Sequence, residues 1–267
     1  MFPGAVASHD GADYAIVGAP LDVSTSFEPG ARFGPRRVRH YAQPFDDFDH
    51  HTEQLFSELA VHDGGDVGDT ADTAEFLDFL EGRLLELRAD GATPLVVGGE
   101  HTVSVAGVRA TDPDVFVTLD AHLDLRESYA GDPLSHATVT RHALDVADRA
   151  VVLGARTGSE AEWERAAEAD VTVVEPREVP DWSPAFDGED VYLSVDVDAF
   201  DPGFAPGTGT KEPFGLTPRE GRRVVSAVAP HATGFDVVEV NDRDDGQSAA
   251  LAAKLLRRFV YDHAASR

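Results

Sequence analysis

The 267-residue chain contains no cysteine, which excludes disulfides and thiolate metal sites. Lysine is almost missing as well: Lys211 and Lys254 are the only two, and the remaining basic residues are arginines. Basic residues number 22 against 49 acidic ones, for a formal charge of -27. So acidic a chain is a poor partner for nucleic acid. Acidity combined with scarce lysine points to adaptation to high salt, where screening suppresses self-repulsion. A docking face for a basic partner is the competing explanation, but no separate acidic tail marks one. Long hydrophobic runs are also lacking, since none approaches the roughly 20 residues needed to span a bilayer. Met1 to Asp13 has neither the basic start nor the apolar stretch of a secretory leader. The expectation is a soluble, cytoplasmic protein.

Apolar residues make up 42% of the chain, enough for a sizeable core. Strand-like runs alternate with helical patterns. Strands are predicted over 14–18, near 59–62, and over 94–97, 115–119, 150–153, 171–174, 191–195 and 235–240. Helices are predicted over 36–41, 73–89, 102–109, 159–169, 217–228 and 248–262. In the second helix Leu77, Leu80, Leu84 and Leu87 recur on one face. Ser159 with Glu162, and Thr217 with Glu220, match the capping-box spacing. No linker, internal repeat or low-complexity tract interrupts the series, so residues 1–267 read as a single domain. The alternation predicts a three-layer α/β/α fold around a mostly parallel sheet of roughly eight strands. In such sheets ligands bind beyond the carboxyl ends of the strands.

Three motifs fall at those ends. Val115–Leu119 runs into Asp120-Ala121-His122-Leu123-Asp124, Val191–Leu193 into Ser194-Val195-Asp196-Val197-Asp198, and Pro94–Val97 into Gly98-Gly99-Glu100-His101. Residues two apart on a strand point the same way, so Asp120 with His122, and Asp196 with Asp198, are expected to converge. Asp124 continues the series and His101 adds a second imidazole. Burying four carboxylates together without a cation is costly. Six ligands exceed what one catalytic ion with an open position needs, and they suit two ions roughly 3.5–4 Å apart that activate a shared water. The oxygen-rich, partly nitrogenous set favours Mn²⁺ and leaves Mg²⁺, Fe²⁺ and Co²⁺ open. Taken singly, Asp-x-His-x-Asp is a solvated turn, Asp196 and Asp198 an acidic strand end, and Gly98-Gly99 a tight turn. Their joint placement at three strand ends points instead to a two-metal hydrolase.

These segments resemble the ureohydrolase family of arginase, agmatinase and their relatives, most closely its agmatinase branch. The likeness starts at Gly18-Ala19-Pro20 and Gly30-Ala31-Arg32-Phe33-Gly34-Pro35 and passes through the three motifs above. It continues through Ala199-Phe200-Asp201-Pro202 and Ala205-Pro206-Gly207-Thr208-Gly209-Thr210 to Gly215-Leu216-Thr217. The resemblance implies one Mn²⁺ on His101, Asp120, Asp124 and Asp196, and a second on His122, Asp120, Asp196 and Asp198. It implies that His136, in Ser135-His136-Ala137-Thr138, shuttles a proton, as suits a group titrating near neutrality. It makes Glu239 the carboxylate that pairs with a planar, always charged substrate guanidinium; a structural arginine is the alternative partner. A trimer or hexamer is implied in the same way.

The resemblance thus implies hydrolysis of a guanidino C–N bond, with agmatine the favoured substrate and urea and putrescine the products. Asp124 is expected to help stabilise the tetrahedral intermediate. Guanidinobutyrate, arginine and formimino compounds remain within the family's range. The Ser-Gly-Asn-type segment of arginases is missing from Glu127–Leu134. Lys211 stands where a proline is usual in agmatinases, Phe214 where a glycine is, Asp242 where a proline is, and Asp132 where an asparagine is common. A one-metal deacetylase of similar fold has fewer ligands, and a noncatalytic member would not need His136 and Glu239. His50, His51 and His62 are expected to be surface or structural residues, and Asp66 to sit in a loop or turn rather than ligate.

Overall fold

A computed structural model describes residues 1–68 and 72–267. In chain order its strands are β1 (Tyr14–Ala19), β2 (Phe48–Asp49), β3 (Gln54–Leu55), β4 (Val61–Asp66), β5 (Thr93–Gly98), β6 (Val115–Leu119), β7 (Arg149–Leu153), β8 (Val171–Val174), β9 (Val191–Asp196) and β10 (Ala232–Val238). The helices are α1 (Gly34–Tyr41), α2 (Thr73–Ala89), α3 (Ser104–Thr111), α4 (Val139–Ala143), α5 (Glu160–Ala166), α6 (Pro218–Val228) and α7 (Gln247–Ala265). Eight strands form one sheet in the order β4-β1-β5-β10-β9-β6-β7-β8, with every pairing parallel. Among the described residues no helix is long and apolar enough to cross a membrane.

Alternation along the strands feeds two cores. Leu95, Val97, Leu193 and Val195 pack with Val38 of α1, Val224 of α6 and Phe259 of α7. Val96, Phe116 and Tyr192 face the other way, onto Leu77, Leu80 and Leu84 of α2 and Val105 of α3. Burial on both faces explains the unbroken apolar runs. Both expected capping boxes form, at Ser159 and Thr217.

Register places the site. Val97 pairs with Val237, Val237 with Val195, and Val195 with Leu119, so β5, β10, β9 and β6 lie in register at their carboxyl ends. The residues that follow, through His101, Glu239, Asp196–Asp198 and Asp120, therefore emerge side by side from four adjacent strands.

Several boundaries differ from the sequence-based expectation. The edge strand β4 runs through Gly64-Gly65 to Asp66, where a turn was expected. A register irregularity and a positive φ at Gly65 accommodate the glycines there. Asp63 and Asp66 are both held by Arg39, at 2.8 and 2.5 Å. β10 stops at Val238 instead of Val240, because Glu239 adopts φ +62°. α5 ends at Ala166 rather than Ala169, and Arg165 pairs with Asp170 at 2.7 Å across the polar turn that follows. The β2–β3 hairpin and α4 are too short to leave a periodic signal.

Candidate metal centre and catalytic cleft

The expected pairs converge by tight turns rather than by continued strand geometry. β6 ends at Leu119, and the Oδ1 of Asp120 accepts the His122 N–H at 2.7 Å. β9 ends at Asp196, whose Oδ1 accepts the Asp198 N–H at 2.8 Å and caps the turn Val197–Ala199. Short carboxylates close such turns readily. Asp198 in turn uses Oδ1 to accept the Ala121 N–H at 3.1 Å, tying the two loops together. Asp124 reaches the site from a left-handed backbone, φ +51°. In Asp196 and Asp198 the backbone thus engages Oδ1 and leaves Oδ2 for the centre, whereas the Oδ1 of Asp120 also faces His122.

The inward atoms form two lobes that share Asp120. His101 Nδ1 lies 2.9 Å from Asp124 Oδ2, 3.1 Å from Asp120 Oδ2 and 3.6 Å from Asp196 Oδ2. His122 Nδ1 lies 2.9 Å from Asp198 Oδ2 and 3.5 Å from Asp120 Oδ1. Burial and the Asp120 charge push Asp124 up to about 7. Burial, with the charges of Asp198 and Asp120, also drives Asp196 well above the carboxylate range. Asp120 is held low against its burial by the two imidazoles, and both imidazoles are raised against theirs by the carboxylates. Protons alone therefore satisfy this cluster only by charging both histidines and neutralising some carboxylates.

Divalent cations fit the same atoms better. Four carboxylates balance two doubly charged ions, and His101 Nδ1 and Asp120 Oδ2 are buried without a hydrogen-bond partner. The imidazole tautomer agrees. Ser194 Oγ gives its proton to Asp236 Oδ1 at 2.6 Å, so it accepts from His101 Nε2 at 3.1 Å and leaves a lone pair on Nδ1. Tyr192 donates to the other Asp236 oxygen at 2.8 Å. These three supporting residues were missed from sequence. The only signal was Asp236 itself, an acid inside an apolar strand.

Glu239 and His136 flank the cluster. Glu239 N–H bonds Gly99 O at 2.8 Å, and its Oε1 accepts the His101 N–H at 2.9 Å. Among the described residues no arginine pairs with it. Burial, with the nearby Glu100 and Asp198 charges, raises its carboxyl to about 8, so a cationic partner would relieve it. His136 starts a short turn capped by Ser135, and burial beside His122 and His101 lowers it to about 4, below the near-neutral range expected of it from sequence. His122, Asp124 and His136 line one cleft of about 290 Å³, and Arg126, Tyr129 and the buried Glu162 line it with them. Arg126 bonds Glu162 Oε2 at 3.1 Å.

The remaining candidates lie outside the cluster. His50 and His51 contact each other at 3.8 Å between ring centres on the surface, and His62 bonds Ala7 O at 3.0 Å. Lys211 ties Glu28 at 2.5 Å to the loop after β9. Phe214 has φ +69° and is 87% exposed, which is why a glycine suits that position. Asp132 Oδ1 accepts the Leu134 N–H at 2.8 Å, a turn bond an asparagine also makes. Within Glu127–Leu134, Ala130 and Gly131 are both left-handed, at φ +51° and +89°, and form a tight turn.

An all-parallel sheet carrying an imidazole–carboxylate cluster beyond its carboxyl ends defines a metallohydrolase-type site. The Arginase family model matches residues 12–261, and the chain belongs to that family. It is 34% identical over 262 residues to the agmatinase of Pyrococcus horikoshii, covering 92% of this chain and 90% of that one. It is 35% identical over 263 residues to the N(1)-aminopropylagmatine ureohydrolase of Thermococcus kodakarensis, covering 92% and 88%. Among solved structures, the agmatine ureohydrolase of Thermoplasma volcanium superposes with a TM-score of 0.93 at 32% identity, covering 99% of this chain and 94% of that one.

Proposed function

We propose that the protein hydrolyses the guanidino C–N bond of agmatine, giving urea and putrescine. The observation that carries this is the cluster of two imidazoles and three carboxylates whose two lobes share Asp120, with Asp196 3.6 Å from His101 and Glu239 bonded to its edge. Two ions held by His101, Asp120, Asp124 and Asp196 and by Asp120, His122, Asp196 and Asp198 would activate water for attack on the guanidinium carbon. The oxygen-rich donor set with two imidazoles favours Mn²⁺ for both. Glu239 accepts the guanidinium N–H groups and fixes the plane of the group for attack. Asp124 takes part in holding charge as the carbon becomes tetrahedral. His136, across the same cleft, delivers a proton to the departing amine nitrogen as the C–N bond breaks.

Arg126 in the lining of the same cleft favours a second reading. Its guanidinium, paired in the free protein with Glu162, would meet the carboxylate of a guanidino acid. We further infer a trimer or hexamer of one-domain chains, a cytoplasmic setting and a high-salt optimum, supported by resemblance and by the charge of -27. A urea assay on agmatine, guanidinobutyrate and arginine, with Mn²⁺ at high and low salt, tests the proposal. Agmatine should be turned over fastest. Faster turnover of guanidinobutyrate would transfer the assignment to guanidino acids, and no urea from any of the three would overturn it.

A further inference from the structure

Glu100 lies between Gly99 and His101 and is fully buried, yet it touches none of the inward atoms of the cluster. Instead it gathers four donors. Its Oε2 accepts the Val23 and Ser24 N–H groups, each at 2.8 Å. Its Oε1 accepts the Ser24 hydroxyl at 2.9 Å and the Thr102 hydroxyl at 2.8 Å. Ser24 therefore spends its single hydroxyl proton on Glu100. Its oxygen also faces two atoms of His136, the backbone N–H at 3.0 Å and the ring Nδ1 at 3.1 Å. A hydroxyl whose proton is already committed can only accept. Nδ1 must then carry a proton, and in the neutral ring the lone pair falls on Nε2.

We propose that Ser24 and Glu100 form a positioning relay that fixes the tautomer and ring orientation of His136, leaving Nε2 as the atom that exchanges the proton. The inference rests on His136 as the proton carrier. Neither Ser24 nor Glu100 needs to touch substrate. Asp22 holds the segment that carries Ser24, accepting the Gly30 N–H at 2.8 Å and the Thr25 hydroxyl. The Tyr129 ring meets the imidazole edge-on at 5.3 Å and limits its rotation from the other side. In the transfer step Nε2 gains a proton from solvent and releases it to the amine nitrogen as the C–N bond breaks, so no other reactant is consumed.

The direct test is the tautomer of His136 in the wild-type full chain, read from long-range ¹H–¹⁵N correlation spectra with Mg²⁺ replacing paramagnetic Mn²⁺. A protonated Nδ1 and a bare Nε2 are expected in the neutral ring, and the opposite pattern overturns the relay. In parallel, Ser24→Ala should lower kcat for urea release by about 10–100-fold with KM and metal content unchanged. Ser24→Thr, which keeps the hydroxyl, should restore both rate and tautomer. Wild-type kcat in Ser24→Ala also overturns the relay. If His136→Asn retains full kcat, the proton-carrier role fails on its own while the tautomer measurement still decides the relay.

Discussion

Asp120 belongs to both lobes of the cluster, whereas Asp124 belongs to one. Replacing each by asparagine keeps the shape and removes the charge, so the two variants should differ in how they couple metal binding to stability. Ligand that binds only the folded chain at a hundredfold its dissociation constant stabilises by about 2.7 kcal/mol per site, or about 5 kcal/mol for two. For a chain of this size that corresponds to a rise in Tm of about 10–20 °C. Differential scanning calorimetry in EDTA and in excess Mn²⁺ measures the rise. Wild type should show it in full and Asp124→Asn about half. Asp120→Asn should show almost none, since both lobes lose their shared ligand. A full Mn²⁺-dependent rise in Asp120→Asn would refute the two-lobed geometry. Equal losses in the two variants would mean that Asp120 is not shared.

Three further outcomes follow from particular residues. Ser194→Ala removes the acceptor that orients His101, so Mn²⁺ affinity measured by isothermal titration should fall about 10–100-fold with the fold intact; unchanged affinity would rule out that support. Phe214→Gly relieves a left-handed backbone at an exposed side chain and should stabilise the protein by about 1 kcal/mol in urea unfolding; a loss of stability would mean the ring has an unrecognised partner. Burial lowers His263 to about 4, with its Nδ1 2.8 Å from the Tyr14 hydroxyl. Its folded pKa lies below the unfolded value near 6.5, so its contribution is complete above that pH and is lost as pH falls through about 4. The loss should approach about 2 kcal/mol after allowance for screening, and His263→Gln should flatten the acid limb of stability against pH.

Much of the molecule was legible in the sequence because period and burial agree there. The leucines of α2 at 77, 80, 84 and 87 all pack into one core, and the apolar run 115–119 is a strand with those same limits. The six inward residues were legible as types at strand ends, but their route to the centre was not. Asp120 and Asp196 close turns on their own backbone, and a period of two describes only the strand before them. Glu239 read as a strand residue because nothing local announces its positive φ; the requirement comes from Gly99 O and the His101 N–H just beyond the end of β5. Ser24, Glu100 and Ser194 stayed silent for a related reason. Their roles are hydrogen bonds to residues 42 to 112 positions away, beyond any window of sequence pattern.

Cleavage of a guanidino C–N bond at this cluster is the reaction proposed for the protein. It is tested most directly by quantifying urea and amine together from agmatine, with the metal-stripped enzyme and after reconstitution with Mn²⁺. Urea and putrescine are expected in equal amounts, with about two ions bound per chain and loss of both products in Asp124→Ala and Asp198→Ala. Undiminished urea release by either variant, or by enzyme freed of metal, would contradict it.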